Sequence, residues 1–197
     1  MGRIFVTVGT TSFDALIEAI DSPLFIREAK ELGYDSVVAQ IGRGKYVPRH
    51  LPLLDNEEKS GKCSSYRFKP TLDDDFAEAD LVISHAGAGS IMESLRMRRR
   101  ILVVVNETLM HNHQWELANA LRDGGYLDCT TPKVSKLCEA LRRVDATTFA
   151  SYPDVEAAAF ASLVNDEARC TKDRSWLHIT SAAAVAAASI IYMLTTT

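Results

Sequence analysis

Gly87 and Gly89, set in Ser84-His85-Ala86-Gly87-Ala88-Gly89-Ser90 directly after the apolar run Leu81-Val82-Ile83, are spaced to hold a small anion. An apolar strand feeding a glycine turn that opens a helix presents free main-chain N–H groups and the positive end of a helix dipole, roughly half an elementary charge. Neither glycine carries a Cβ that would keep phosphate away. A nucleotide diphosphate is the natural guest. Glu93, just beyond the turn, fits the S-x-x-E capping box with Ser90, in which serine and glutamate satisfy orphan N–H groups. It also suits a second task, accepting hydrogen bonds from two ribose hydroxyls.

Asn112, His113, Gln114 and Asn119 follow the next apolar run, which ends at Val105. They read as cap and surface residues of a helix whose Leu117 and Leu121 face a core. Equally, side-chain amides and an imidazole at a strand's carboxyl end can donate to and accept from sugar hydroxyls. His111 and His113 with Glu116 could ligate a metal, but no third ligand of recognisable spacing accompanies them. His85 reads as a turn or phosphate-contacting residue rather than a base. A dinucleotide fingerprint would need glycine or alanine where Met92 stands and belongs in the first βα turn, which here is Val8-Gly9-Thr10-Thr11-Ser12. Glu107 could serve as its acidic residue, so a nicotinamide nucleotide stays an alternative. A Walker loop is absent, since no Gly-Lys-Ser/Thr follows a spaced glycine.

The elements that would hold these residues follow from periodicity. Residues 4–8, 36–41, 81–84 and 101–105 are apolar runs rich in β-branched side chains, as in strands buried on both faces of a parallel sheet. Helical patterns at 13–19, 23–32, 90–97 and 113–121 lie between them, and 133–143 and 155–164 suggest two more. The alternation predicts an α/β fold, a Rossmann-like doubly wound parallel sheet with ligands outside the carboxyl ends of its strands. Residues 42–62, rich in charge, glycine and proline, read as a mobile loop before a weaker strand around Tyr66, Arg67 and Phe68.

The 197 residues suffice for one well-buried domain with a short appendage. We place the nucleotide-binding domain at 1–170 and an Ala-rich hydrophobic tail helix at 171–197. The net charge of −4 argues against a non-specific nucleic-acid binder. Cys63, Cys129, Cys138 and Cys170 are far apart and form no C-x-x-C pair, as expected of reduced cytoplasmic thiols. The N-terminus reads as a strand, with none of the flanks of a signal peptide. Residues 177–194 carry no charge apart from a possible one on His178. Alanine contributes little insertion energy, which favours a helix packed on its own domain or on a partner over a membrane anchor.

Four separated blocks agree in order with one family: residues 5–14 (FVTVGTTSFD), 40–44 (QIGRG), 79–90 (ADLVISHAGAGS) and 103–118 (VVVNETLMHNHQWELA). From Ile4 to about Tyr126 the chain resembles the catalytic subunits of the two-part UDP-N-acetylglucosamine transferase of dolichol-linked oligosaccharide synthesis. More distantly it resembles the donor half of the bacterial transferase acting on the peptidoglycan lipid precursor. The resemblance implies a GT-B donor lobe that transfers N-acetylglucosamine with inversion, with no cofactor and no required metal. In the family pattern Gly87, Ala88, Gly89 and Ser90 face the diphosphate, Glu93 takes the ribose, and His113 and Gln114 lie at the donor sugar. Gly9, Thr10 and Thr11 match the first glycine loop. The partner implied is a membrane-anchored, acceptor-binding subunit that recruits the chain to the cytosolic face of the endoplasmic reticulum. Where relatives carry a Gly-Lys-Pro type turn, this chain has Arg96-Met97-Arg98-Arg99-Arg100, read either as a solvated helix end or as a contact with anionic lipid or the partner. The resemblance leaves the catalytic base unassigned.

Overall fold

The computed structural model describes residues 2–51, 63–107 and 113–153. Compact packing divides the chain into residues 1–151 and 152–197; the predicted helix at 155–164 and the tail lie outside the described residues. Strands β1 (Gly2–Thr7), β2 (Tyr34–Gln40), β3 (Ser64–Tyr66), β4 (Leu81–His85), β5 (Arg100–Val104) and β6 (Asp128–Thr130) form one sheet in the order β3-β2-β1-β4-β5-β6. Every pairing is parallel. This is the order of doubly wound nucleotide-binding sheets, and it fixes a switch point. The chain moves outward from β1 in one direction and from β4 in the other, so a crevice opens beyond their carboxyl ends.

Alternation along the strands sends side chains to two cores. Ile4, Val6, Val37, Ala39, Leu81, Ile83, Leu102 and Val104 pack with helices α1 (Asp14–Ile20), α2 (Pro23–Glu31) and α6 (Val134–Ala146) through Leu16, Ile17, Ile20, Phe25, Ala29, Leu137, Leu141 and Val144. The other face buries Phe5, Val38, Val82, Ile101 and Val103, and α3 (Asp73–Glu78), α4 (Ala88–Arg96) and α5 (His113–Asp123) belong to it. Phe76 of α3 meets Phe5 edge to face, ring centroids 5.2 Å apart. Across the first face, α2 and α6 are joined by Arg142, whose guanidinium grips the buried Glu28 carboxylate and, with burial opposing it, holds that carboxyl below its ordinary pKa.

Two expectations change. Residues 42–51 are tied down rather than mobile. Asp14 accepts from the main-chain N–H groups of Lys45 and Tyr46, and buried Asp21 accepts from those of Arg49, His50 and Leu51 and from the Tyr46 hydroxyl at 2.7–2.8 Å. Loop composition conceals this because the anchors are the first residue of α1 and its C-cap, some 30 positions away in sequence. Residues 52–62 lie outside the described residues.

The arginine run is not simply a solvated helix end. Arg99 donates to the Ala79 carbonyl, and Arg100 to the Tyr34 hydroxyl, which also meets Asp145. Burial pushes the Tyr34 hydroxyl up to about 12. Arg98 occupies the left-handed position that closes α4, φ 55, where glycine is the unstrained residue. Replacing Arg98 by Gly is expected to raise stability by about 1 kcal/mol in urea melts. A lowered midpoint would show that the contacts of its side chain outweigh the strain.

Candidate functional site

The turn between β4 and α4 stands at the switch point. Gly87 caps α4 in extended conformation, and no side chain caps the helix. The first intrahelical bond that reaches back to the cap is Ile91 N–H to the Gly87 carbonyl, 3.1 Å. The N–H groups of Ala88, Gly89 and Ser90 therefore point off the helix end toward the carboxyl edge of the sheet, as an anion site requires. Helix α4 begins two residues before the predicted start, which overturns the capping box. Ser90 is the third helical residue, not the cap, so Glu93 has no cap to complete.

Glu93 stands half-buried on α4 beside Asp73, the first residue of α3. Burial raises the pKa of its carboxyl, and the neighbouring Asp73 carboxylate, to which it is hydrogen-bonded, raises it further, while Arg96 opposes. Asp73 escaped the sequence reading, since nothing in its spacing marks it as a neighbour of Glu93.

The first glycine loop follows β1 across the crevice. Gly9 has φ 61, a conformation strained for any residue with a Cβ. Both of its main-chain groups are held from below. The Thr7 hydroxyl accepts its N–H at 3.1 Å, and the Gln40 amide donates to its carbonyl at 2.6 Å. Thr7 in turn donates to the Gln40 side-chain oxygen at 2.6 Å, and the Gln40 amide also reaches the Arg67 carbonyl. Thr7 and Gln40 were missed as positioning residues. The signal available was a polar residue ending each of two otherwise apolar strands. Thr10 is exposed at the lip, while the Thr11 hydroxyl donates back to the Val8 carbonyl at 2.8 Å.

His85 lies between the two glycine loops. A Cβ on Gly87 would stand 2.2 Å from its Nε2, and one on Gly9 would stand 2.7 Å from its Cε1. The ring is largely buried, and Nδ1 makes no hydrogen bond of normal geometry. Burial pushes its pKa down, with the Thr7 main chain opposing, so the ring is neutral at physiological pH. A neutral ring here spaces the two loops, with one ring nitrogen a donor and the other an acceptor.

Of the remaining predicted residues, His113 and Gln114 open α5, and the Gln114 side-chain oxygen is buried without a partner. Such an orphan acceptor suits a ligand hydroxyl. Asn119 lies further along α5 and meets the Cys129 thiol at 3.8 Å, facing β6. Asn112 lies outside the described residues. Cys63, Cys129 and Cys138 are free thiols. Among the described residues no group of His, Cys, Asp and Glu could hold a metal, and no helix is long and apolar enough to cross a membrane.

Residues 3–173 match the family described as glycosyltransferase family 28 C-terminal domain. The chain is 46% identical over 134 residues to the UDP-N-acetylglucosamine transferase subunit ALG13 of Homo sapiens, which covers 68% of this chain but 11% of that protein. It thus spans about a tenth of the human relative, and the mouse relative gives the same share. The subunit of the same name from Candida glabrata is 32% identical over 169 residues, covering 71% of this chain and 85% of the relative. Among solved structures, the solution structure of ALG13 superposes with a TM-score of 0.60 at 25% identity, covering 82% of this chain and 94% of that one. Acinetobacter baumannii MurG gives 0.50 at 18% identity, covering 73% and 40%, a likeness of fold.

Proposed function

Since the chain belongs to the glycosyltransferase family 28 C-terminal domain family, we propose that it is the donor-binding subunit of an inverting UDP-N-acetylglucosamine transferase. The product of the pair is a lipid-linked chitobiosyl diphosphate: N-acetylglucosamine passes from UDP to dolichyl diphosphate-N-acetylglucosamine, the second step in building the glycan for protein N-glycosylation. A membrane-anchored partner supplies the acceptor side and holds the complex at the cytosolic face of the endoplasmic reticulum.

The observation that carries this reading is the uncapped start of α4 at the switch point, facing the Gly9 loop across His85. Breaking the bond to UDP builds negative charge on the leaving diphosphate. Main-chain N–H groups of Ala88, Gly89 and Ser90, fixed in advance and aligned with the helix dipole, stabilise that charge more than they stabilise the ground state. Glu93 accepts from the ribose hydroxyls, and Gln114, with its free oxygen, takes a hydroxyl of the sugar. His113 flanks the sugar beside it. Inversion by single displacement also needs a base for the acceptor hydroxyl, and no residue of this chain is assigned that task.

Two assays test the reading in sequence. Titration calorimetry should show UDP binding to the chain alone, and the chain with its membrane partner should form the chitobiosyl diphospholipid from UDP-N-acetylglucosamine. Binding without product would reduce the chain to a nucleotide-sugar binding module; failure to bind UDP would end the proposal. Glu93→Ala should weaken UDP by about 1–3 kcal/mol, the cost of losing a charged acceptor. Because burial and Asp73 raise the pKa of its carboxyl, UDP affinity should begin to fall at a higher pH on acidification than an ordinary carboxylate would give, and Glu93→Gln should flatten that limb. Lost thermal stability with unchanged affinity would instead make Glu93 structural.

A further inference from the structure

Residues 42–51 leave the carboxyl end of β2 as a strap whose residues alternate in exposure. Arg43, Lys45, Val47 and Arg49 face solvent, whereas Gly44 is buried and Tyr46 and Pro48 are half-buried. The strap is held by its main chain. Arg43 N–H donates to the Thr11 carbonyl at 2.9 Å, Lys45 and Tyr46 N–H donate to Asp14, and Arg49 N–H to Asp21. The Arg67 guanidinium grips the carbonyls of Gly42 and Gly44 at 3.2 and 2.7 Å, and the exposed Phe68 follows it in the chain.

Asp14 and Asp21 spend their hydrogen bonds on the strap's main chain rather than on its side-chain cations. No ion pair among the described residues engages Arg43, Lys45 or Arg49. At Tyr46 the carboxylates felt are Asp21 first and then Glu18 of α1, with Arg49 opposing them. Among the described residues three large apolar side chains are exposed: Val47 of the strap at 49%, Phe68, which follows the Arg67 that grips it, at 52%, and Leu24 at 37%. In an acidic chain, net charge −4, the strap thus presents three exposed cations that no ion pair among the described residues engages, with the exposed Val47 among them.

We propose that this strap, with Phe68, rests on an anionic phospholipid surface. Isolated apolar side chains set between basic ones are what an interfacial site needs: the apolar groups enter the headgroup boundary and the cations meet lipid phosphates. The core of a protein–protein interface has the opposite composition, with continuous apolar area and few lysines. The strap hydrogen-bonds to the Gly9–Thr11 loop, so the surface that meets the bilayer adjoins the crevice at the same sheet edge. The proposal rests on the strap alone and does not require the nucleotide reading.

The test is flotation of the full chain with vesicles of phosphatidylcholine, neutral or containing roughly one-third phosphatidylserine, at low and physiological ionic strength. Binding should appear on the anionic vesicles and weaken with salt. A basic residue near the surface is worth about fivefold in partitioning, so Arg43→Gln/Lys45→Gln/Arg49→Gln together should lower it about 100-fold. Val47→Ser/Phe68→Ser should lower it about tenfold. Both variants should keep the parent's melting temperature and UDP affinity, which separates loss of lipid binding from misfolding. Equal binding to neutral vesicles, partitioning that the triple variant leaves unchanged, no binding to any vesicle, or capture of an acidic protein in place of lipid would each overturn the proposal.

Discussion

Asp21→Ala should cost about 3–5 kcal/mol in urea or thermal melts, a large share of the stability of a domain this size. The Asp21 carboxylate is 1% exposed and accepts from three consecutive main-chain N–H groups, those of Arg49, His50 and Leu51, and from the Tyr46 hydroxyl. Removing it strands those donors at a site water reaches poorly, at about 1–3 kcal/mol each where no water replaces it. It also frees the strap from α1 and uncovers Leu51, itself part of the main core. Asp21→Asn should do little better, because half of the carboxylate's accepting capacity becomes a donor facing donors.

The same residue sets part of the acid sensitivity. Burial pushes the Asp21 pKa up, but the hydrogen bonds from Arg49, Tyr46, His50 and Leu51 together outweigh it and hold it below the ordinary value. A carboxyl depressed on folding contributes stability that is fully present above its unfolded pKa, about 4, and is lost as pH falls through the folded value. Glu28, held down by Arg142, acts in the same direction and window. The parent should therefore lose stability on acidification below about pH 5. Asp21→Ala should start lower and lose less over that interval. A variant whose acid limb ran parallel to the parent's would show that Asp21 does not titrate differently in the two states.

What was legible in the sequence was what apolar patterning dictates. Four of the six strands are carried by runs such as Ile4-Phe5-Val6 and Ile101-Leu102-Val103, buried on both faces and hard to read otherwise, while the weaker strand expected around Tyr66 is β3, two residues earlier and largely exposed. The glycine turn was legible because its residues adjoin in sequence. Strand β6, Asp128-Cys129-Thr130, was not, since three residues with one apolar side chain carry no period. Helix α3 was not read from the sequence, because Asp73-Asp74-Asp75 gives its first turn no apolar period. Those carboxylates suit the positive end of a helix, and Phe76 fastens it to Phe5. The supporting parts of the site were hidden for a different reason. Gln40 holds Gly9, Asp73 meets Glu93, and Asp21 fixes the strap, each across 20 to 31 positions of sequence. Such pairs become neighbours only when the sheet order is known.

Gly87→Ala should reduce UDP affinity by at least about 100-fold, equivalent to losing one or two charge-assisted hydrogen bonds. The added methyl would lie 2.2 Å from His85 Nε2 and 3.0 Å from Cδ2, well inside contact distance. The ring cannot simply retreat, since the far side of its cleft is Gly9, where even a Cβ would be 2.7 Å from it. Either the turn lifts, carrying the N–H groups of Ala88, Gly89 and Ser90 off their common target, or the ring is expelled and the two glycine loops lose their spacer. Removing the ring discriminates between these. In Gly87→Ala/His85→Ala the clash is gone, so stability should recover relative to Gly87→Ala alone, with a favourable coupling of about 0.5–3 kcal/mol. If the turn is the binding element, much of the UDP affinity returns with it. If His85 itself contacts the nucleotide, affinity stays low while the melting temperature recovers. Undiminished UDP binding by Gly87→Ala would show that the diphosphate does not use this turn, because no arrangement keeps both the methyl and the ring in place.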